Sequence, residues 1–139
     1  MIWAGGKGIL RRVEGALKIL SVAVGGALGA VARYLISISP ASTAFEKFPF
    51  HTFIINISGS FLIGFLMILL TDKLQLSDNL RLAIIVGFLG AFTTFSTFEI
   101  ELFDLIKDRQ MIVALMYLFL SVAVGFIGVA AGVALARKF

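Results

Sequence analysis

The chain reads as an all-α integral membrane protein of four spanning helices, and three observations predict it. Of its 139 residues, 60% are hydrophobic and 14% charged, against roughly 45–50% apolar and about 25% charged in soluble domains. The mean hydropathy is +1.05, too high for a surface wetted all round. The apolar residues also gather in four runs, each meeting the ~20 residues that a spanning helix needs. A chain of this length makes one domain, a single four-helix transmembrane unit over residues 1–139.

Residues 1–16 form a basic tail carrying Lys7, Arg11 and Arg12. The first helix is expected over about 17–38. A secretory signal has a shorter apolar core, and Arg33-Tyr34 stands where its cleavage site would fall, so the run is read as a span. Gly25-xxx-Gly29 allows close approach of a neighbouring backbone. Gly26, Ala30 and Arg33 lie near one face. Arg33 either snorkels to the interface or lines an anion vestibule.

The second helix is expected over about 50–70. Thr52, Asn56 and Ser60 recur at i, i+4 and i+8, with Gly59 and Gly64 beside them. The Asn56 amide carries donors and acceptors that lipid cannot satisfy. It either makes an interhelical hydrogen bond, worth ~0.6 kcal/mol on average, or meets a ligand.

The third helix, about 80–106, contains two glycines and four hydroxyls within the eleven residues 87–97. Those hydroxyls either bond back to the i−4 carbonyl, or the helix breaks and frees carbonyl oxygens at membrane depth. Transporters use such oxygens to hold cations. Phe92, Phe95 and Phe98 recur every third residue, a pattern of packing or lipid contact, although a ring edge is positive and attracts an anion weakly. Glu99 and Glu101 lie late in this run and are expected toward water. The fourth helix, about 111–136, carries a stripe of Tyr117, Ser121, Gly125, Gly128 and Gly132. Connections between the runs are short and polar, over 39–49, 71–79 and 107–110.

Several classes are excluded. The absence of cysteine removes disulfides, thiolate metal sites and thiol nucleophiles. His51 is the single histidine, and no nucleophile–base pair can be assembled, so the chain is not read as an enzyme. The net charge of +4 does not point to nucleic acid, because the charges sit between apolar runs rather than in one stripe. Topology accounts for them better. Lys7, Arg11, Arg12, Lys18, Lys73, Arg81, Arg137 and Lys138 fall on one side, against Arg33, Lys47, Lys107 and Arg109. Eight against four places both termini in the cytoplasm; without the first eighteen residues the count is four against four.

Three segments together resemble the Fluc (CrcB) family of fluoride channels. They are Gly25-Gly26-Ala27-Leu28-Gly29-Ala30-Val31-Ala32-Arg33-Tyr34, then Thr52-Phe53-Ile54-Ile55-Asn56-Ile57-Ser58-Gly59-Ser60-Phe61, and the run from Gly87 to Phe98 ending Thr93-Thr94-Phe95-Ser96-Thr97-Phe98. They occur one per helix and in the family's order.

The resemblance implies an antiparallel, dual-topology dimer in the plasma membrane, with two fluoride pores and a third helix broken at mid-membrane. Asn56 would be the pore amide, and Phe95 and Phe98 would supply ring edges, one from the neighbouring subunit. Ser96 and Thr97 would add hydroxyls, while Tyr117 and Ser121 would form a polar track that thins at Gly125. Arg33 would be the vestibule arginine. Gly90 and Thr93 would hold a structural sodium ion through backbone oxygens at the dimer centre. An anion gains ~2.3 kcal/mol per 100 mV on leaving a negative interior, so export is expected to be passive and to relieve fluoride toxicity. The basic tail biases orientation more than a dual-topology subunit should, which leaves one subunit of a heterodimer beside the expected homodimer. Rival functions are a four-helix multidrug carrier, which needs a carboxylate at the membrane centre, and a non-transporting accessory subunit.

Overall fold

The computed structural model describes residues 4–39 and 48–139, with side chains from residue 11 onward. The tail's first three residues and most of the 39–49 connection, Lys47 included, lie outside the described residues. Six α-helices follow in order: α1 (Ala4–Ser37), α2 (Phe50–Ile68), α3 (Asp78–Arg81), α4 (Gly90–Phe92), α5 (Phe95–Lys107) and α6 (Met111–Ala136). Two π-helical stretches join them: Leu69–Lys73 continues α2, and Leu82–Leu89 connects α3 to α4. Among the described residues, four helical stretches are long and apolar enough to cross a membrane: Arg11–Ser37, Phe50–Lys73, Asp78–Lys107 and Met111–Ala136.

The α1 helix starts at Ala4, well ahead of the expected start near Leu17. Its 34 residues span ~51 Å at 1.5 Å per residue, more than the ~30 Å hydrocarbon core. Arg11 and Arg12 are exposed on it, and Lys18 Nζ lies 3.7 Å from Asp78 Oδ2 at the start of α3.

Two parallel helix pairs make the body. In one, a Cβ added at Gly25 would run into the Ala83 carbonyl and one at Gly29 into the Phe88 carbonyl, so α1 packs backbone to backbone on the π-helical stretch. Gly87 answers from the other side, with the Val22 carbonyl only 2.6 Å from where its Cβ would be. In the second pair, Gly64 meets the Val129 carbonyl and Gly132 meets the Phe61 carbonyl, bringing α2 against α6. Small residues permit this approach where lipid offers no hydrophobic drive for helices to associate. Gly25 faces Ala83 and Gly29 faces Phe88, while Gly128 faces Ile57 and Gly132 faces Phe61, so each pair runs parallel.

Between α4 and α5 the chain is extended for two residues. Thr93 has φ −75° and ψ 155°, and Thr94 φ −147° and ψ 123°. Both are β-branched, which favours extended backbone. Thr94 then caps α5: its Oγ1 accepts from the Thr97 N–H at 3.3 Å and donates to Thr97 Oγ1 at 2.9 Å, satisfying one of the free N–H groups that every helix start leaves.

Candidate functional site

The polar stripes of α2 and α6 face each other across the start of α5. Asn56 binds the extended link from both sides: its Nδ2 donates to the Thr94 carbonyl at 3.0 Å, and its Oδ1 accepts the Thr94 N–H at 2.8 Å. The amide thus replaces the helical acceptor that the Thr94 N–H gives up and adds a second donor to the carbonyl that starts α5. One N–H of Asn56 remains for another acceptor.

The link also releases backbone oxygens. In a continuous helix the Gly90 carbonyl would accept from the Thr94 N–H, but that N–H goes to Asn56. The Thr93 carbonyl would accept from the Thr97 N–H, which goes to the Thr94 hydroxyl instead. The Ala91 carbonyl is claimed by Arg33 Nε at 3.0 Å. Gly90 and Thr93 therefore lose their ordinary donors while Ala91 gains a cationic one. Gly90 is exposed, and an added Cβ there would meet nothing within 4 Å.

A cavity of about 360 Å³ opens beside this link, lined by Asn56, Ser60, Gly90, Thr93, Phe95, Phe98 and Ser121 among others. Phe98 is buried, and Phe95 is 70% exposed on the open side. The ring centroids stand 6.0 Å apart, tilted by 38°. The Ser121 Oγ is buried and has no hydrogen-bond partner among the described residues. The wall thus offers a hydroxyl, an amide N–H and aromatic rings, with no fixed cation among the lining residues.

Of the residues singled out from sequence, the cavity brings together Asn56, Phe95, Phe98, Ser121, Gly90 and Thr93. Ser96 is exposed and Thr97 is part of the α5 cap; neither lines it. Arg33 reaches the end of α4 rather than the cavity. Tyr117 lies one turn before Ser121 on α6, fully buried, and its ring packs edge-on to Phe98 at 4.9 Å.

Glu101 departs from the expected position. Expected toward water, its side chain is only 17% exposed and lies inside the third spanning stretch. Its Oε1 accepts from Thr52 Oγ1 at 2.7 Å, and its Oε2 accepts from the Tyr117 hydroxyl at 2.7 Å. His51 Nε2 stands 3.2 Å from Oε1. Three side chains from α2 and α6 thus solvate a carboxylate carried by α5, as a charge within a membrane span requires. A signal existed in the sequence: Thr52 and Tyr117 head the two polar stripes, and a carboxylate is the acceptor that both hydroxyls lack. Glu99, by contrast, is exposed.

The chain is similar to known proteins along most of its length. The family described as "CrcB-like protein, Camphor Resistance (CrcB)" matches residues 20–133. A protein of Hahella chejuensis named fluoride-specific ion channel FluC is 45% identical over 119 residues, covering 86% of this chain and 94% of that one. Relatives of the same name from Roseiflexus and Solibacter usitatus are 42% and 41% identical, covering 98% and 100% of their own lengths. The matched region holds both helix pairs, the link and the cavity.

Proposed function

Because the chain belongs to the CrcB-like protein family, we propose that it is a fluoride-selective ion channel that lets cytoplasmic fluoride leave passively across the plasma membrane. The observation that carries the proposal is identity of 45% across nearly the whole of a relative named as a fluoride-specific channel. The cavity supports it chemically. Fluoride is small and strongly hydrated, so a path for it must replace water with several hydrogen-bond donors. The free N–H of Asn56, the unpartnered hydroxyl of Ser121 and the edges of Phe95 and Phe98 are such groups. Neutral donors solvate the ion without the deep well that a fixed cation would create. Ser96 and Thr97 enter the proposal only as hydroxyls at the rim, and Arg33 as the cation at the end of α4.

The functional unit we propose is an antiparallel, dual-topology homodimer whose third span is broken at mid-membrane at Thr93–Thr94. The extended dihedrals of those two residues support the break. Phe95, exposed on the open side of the cavity, supports a second subunit closing it. The carbonyl oxygens of Gly90 and Thr93 fit a sodium ion at that contact. They are hard donors without helical partners, and no group of three acidic, histidine or cysteine side chains competes for a metal among the described residues. A bound sodium ion would supply fixed positive potential and join the two links.

Glu101 is the specific observation that favours a second reading, a proton-coupled carrier, since such a carrier needs an intramembrane carboxylate. Fluoride efflux from proteoliposomes separates the two. A channel releases fluoride when a potassium ionophore provides the balancing charge, without an imposed proton gradient, and leaves chloride inside.

A further inference from the structure

A second cavity lies outside the ion pathway. It is a groove of about 420 Å³ between α1, α2 and the stretch Leu82–Leu89, walled by Val24, Leu28, Leu62, Leu66, Leu80 and Phe88 among others. Its volume falls within the range of about 300–1,000 Å³ found for ligand clefts. No residue lining it carries a polar side chain. Val24, Leu28 and Leu80 are exposed, and the lining residues all fall within spanning stretches, so the groove opens toward lipid. Helix packing does not fill it. The glycines that admit close backbone approach are committed inward, Gly25 and Gly29 to the Ala83 and Phe88 carbonyls and Gly87 to that of Val22. Bulky side chains remain at the opening, where a neighbouring helix would find none of the small residues that membrane association relies on. Gly90 and Phe95, where a second subunit is proposed to dock, line the other cavity and not this groove.

One end of the groove is basic. Leu80 is followed by Arg81, whose Nη2 lies 3.2 Å from Asp78 Oδ1, while Lys18 Nζ lies 3.7 Å from Asp78 Oδ2. Two cations thus share one carboxylate. Arg11, Lys18 and Gly25 recur every seven residues on α1, so they share the face turned toward α3 and the stretch 82–89. Lys73 ends the continuation of α2 beyond Leu62 and Leu66. Over residues 11–18 and 72–81, five cations stand against three carboxylates, those of Glu14, Asp72 and Asp78. The ion pathway uses none of these charges. Basic clefts between spanning helices at the interface hold anionic lipid headgroups.

We propose that this groove binds an acyl chain of an anionic phospholipid, with the headgroup held by Lys18, Lys73 and Arg81. A flexible hydrocarbon chain follows the uneven apolar wall that a rigid helix cannot enter. The surplus of positive charge at the end selects an anionic headgroup over a zwitterionic one. A chain seated there touches both helix pairs, α1 with the stretch 82–89 on one side and α2 on the other. Bound lipid therefore stabilises the subunit. Binding at this place is independent of which ion the other cavity passes.

The test is fluorescence quenching in vesicles of phosphatidylcholine holding the full chain. Trp3, the single tryptophan, is replaced by Trp3→Phe, and Leu28→Trp sets a fluorophore at the groove. Phe126→Trp, exposed on α6 and outside the groove, is the control. Each is titrated with phosphatidylglycerol or phosphatidylcholine bearing brominated chains. At Leu28→Trp, phosphatidylglycerol is expected to bind about fivefold more tightly, the factor that one basic side chain contributes near an anionic surface. At Phe126→Trp the two lipids should quench alike. Combining Lys18→Gln, Lys73→Gln and Arg81→Gln should remove the preference. Equal quenching at Leu28→Trp, the same preference at both positions, or a preference that survives the triple substitution overturns the proposal. A groove fluorophore that neither lipid quenches shows protein covering the groove, a second copy included, and overturns it as well. The melting temperature of the native chain in detergent should rise further with phosphatidylglycerol than with phosphatidylcholine. An equal rise overturns the proposal without any substitution.

Discussion

At the scale of single residues, Asn56 does two jobs at once. Its amide replaces the helical acceptor of the Thr94 N–H, adds a donor to the Thr94 carbonyl and keeps one N–H in reserve. Asn56→Leu strands the Thr94 N–H, which costs about 1–3 kcal/mol for an unsatisfied group, seen as a lower melting temperature in detergent together with lost flux. Asn56→Asp keeps the acceptor for the Thr94 N–H but removes the donor and adds a negative charge. Its flux should fall about tenfold or more, the equivalent of about 1.4 kcal/mol, with the protein still folded. Phe95→Ile is the cleaner variant, because Phe95 is 70% exposed and contributes little to the packing of one subunit. Its melting temperature should match the native value while fluoride efflux drops sharply; native efflux would remove Phe95 from the pathway. Tyr117→Phe takes one donor from a half-buried carboxylate, a loss of about 1.5–3 kcal/mol for a hydrogen bond to a charged group. Calorimetry on the purified variant should show that destabilisation.

At the scale of elements, the glycines divide into two kinds. Gly25, Gly29, Gly64 and Gly132 each sit against a backbone carbonyl of the neighbouring helix. Gly29→Val forces α1 away from the π-helical stretch, and overpacking of this kind costs about 1–3 kcal/mol, readable as a lower melting temperature. Gly90→Ala meets nothing within 4 Å and should leave one subunit's fold intact. If Gly90 faces a second subunit, the same variant should weaken dimers on size-exclusion chromatography, and unaltered dimers would place the contact elsewhere. The sequence made the four spans legible, since apolar runs bounded by charge leave few alternatives, and the fourth helix ends where its pattern ends, at Met111 and Ala136. The small-residue stripes were legible as close-packing faces, but not which carbonyls they would meet, because that depends on the π-helical turns of 82–89. Glu101 was hidden for a related reason. Helical spacing assigns a residue to a face only within one continuous helix, and the extended Thr93–Thr94 link resets the phase of α5 relative to everything before it. The length of α1 was also hidden: charges at Arg11 and Arg12 mark the end of the apolar run, not the end of the helix.

At the scale of the whole molecule, charge and assembly pull in different directions. The basic residues ahead of Val13 favour one orientation, whereas a cavity open beside Phe95 suits a subunit that pairs with an inverted copy. The chain lacks cysteine, so Lys138→Cys gives a single labelling site near the C-terminus. Labelling by a membrane-impermeant reagent from both sides of the membrane is the expected result, and labelling from one side alone would favour a fixed-orientation partner. Replacing sodium by a bulky organic cation should lower fluoride flux if Gly90 and Thr93 hold the ion through backbone oxygens, and Thr93→Val should retain flux because it spares that oxygen. The most direct measurement is fluoride efflux from proteoliposomes of the purified chain, read with a fluoride electrode beside a chloride control. Rapid release of fluoride alone on adding a potassium ionophore is the predicted result. Fluoride retained by verified dimers in sodium, or chloride released alongside it, would contradict the assignment of this cavity as a fluoride pore.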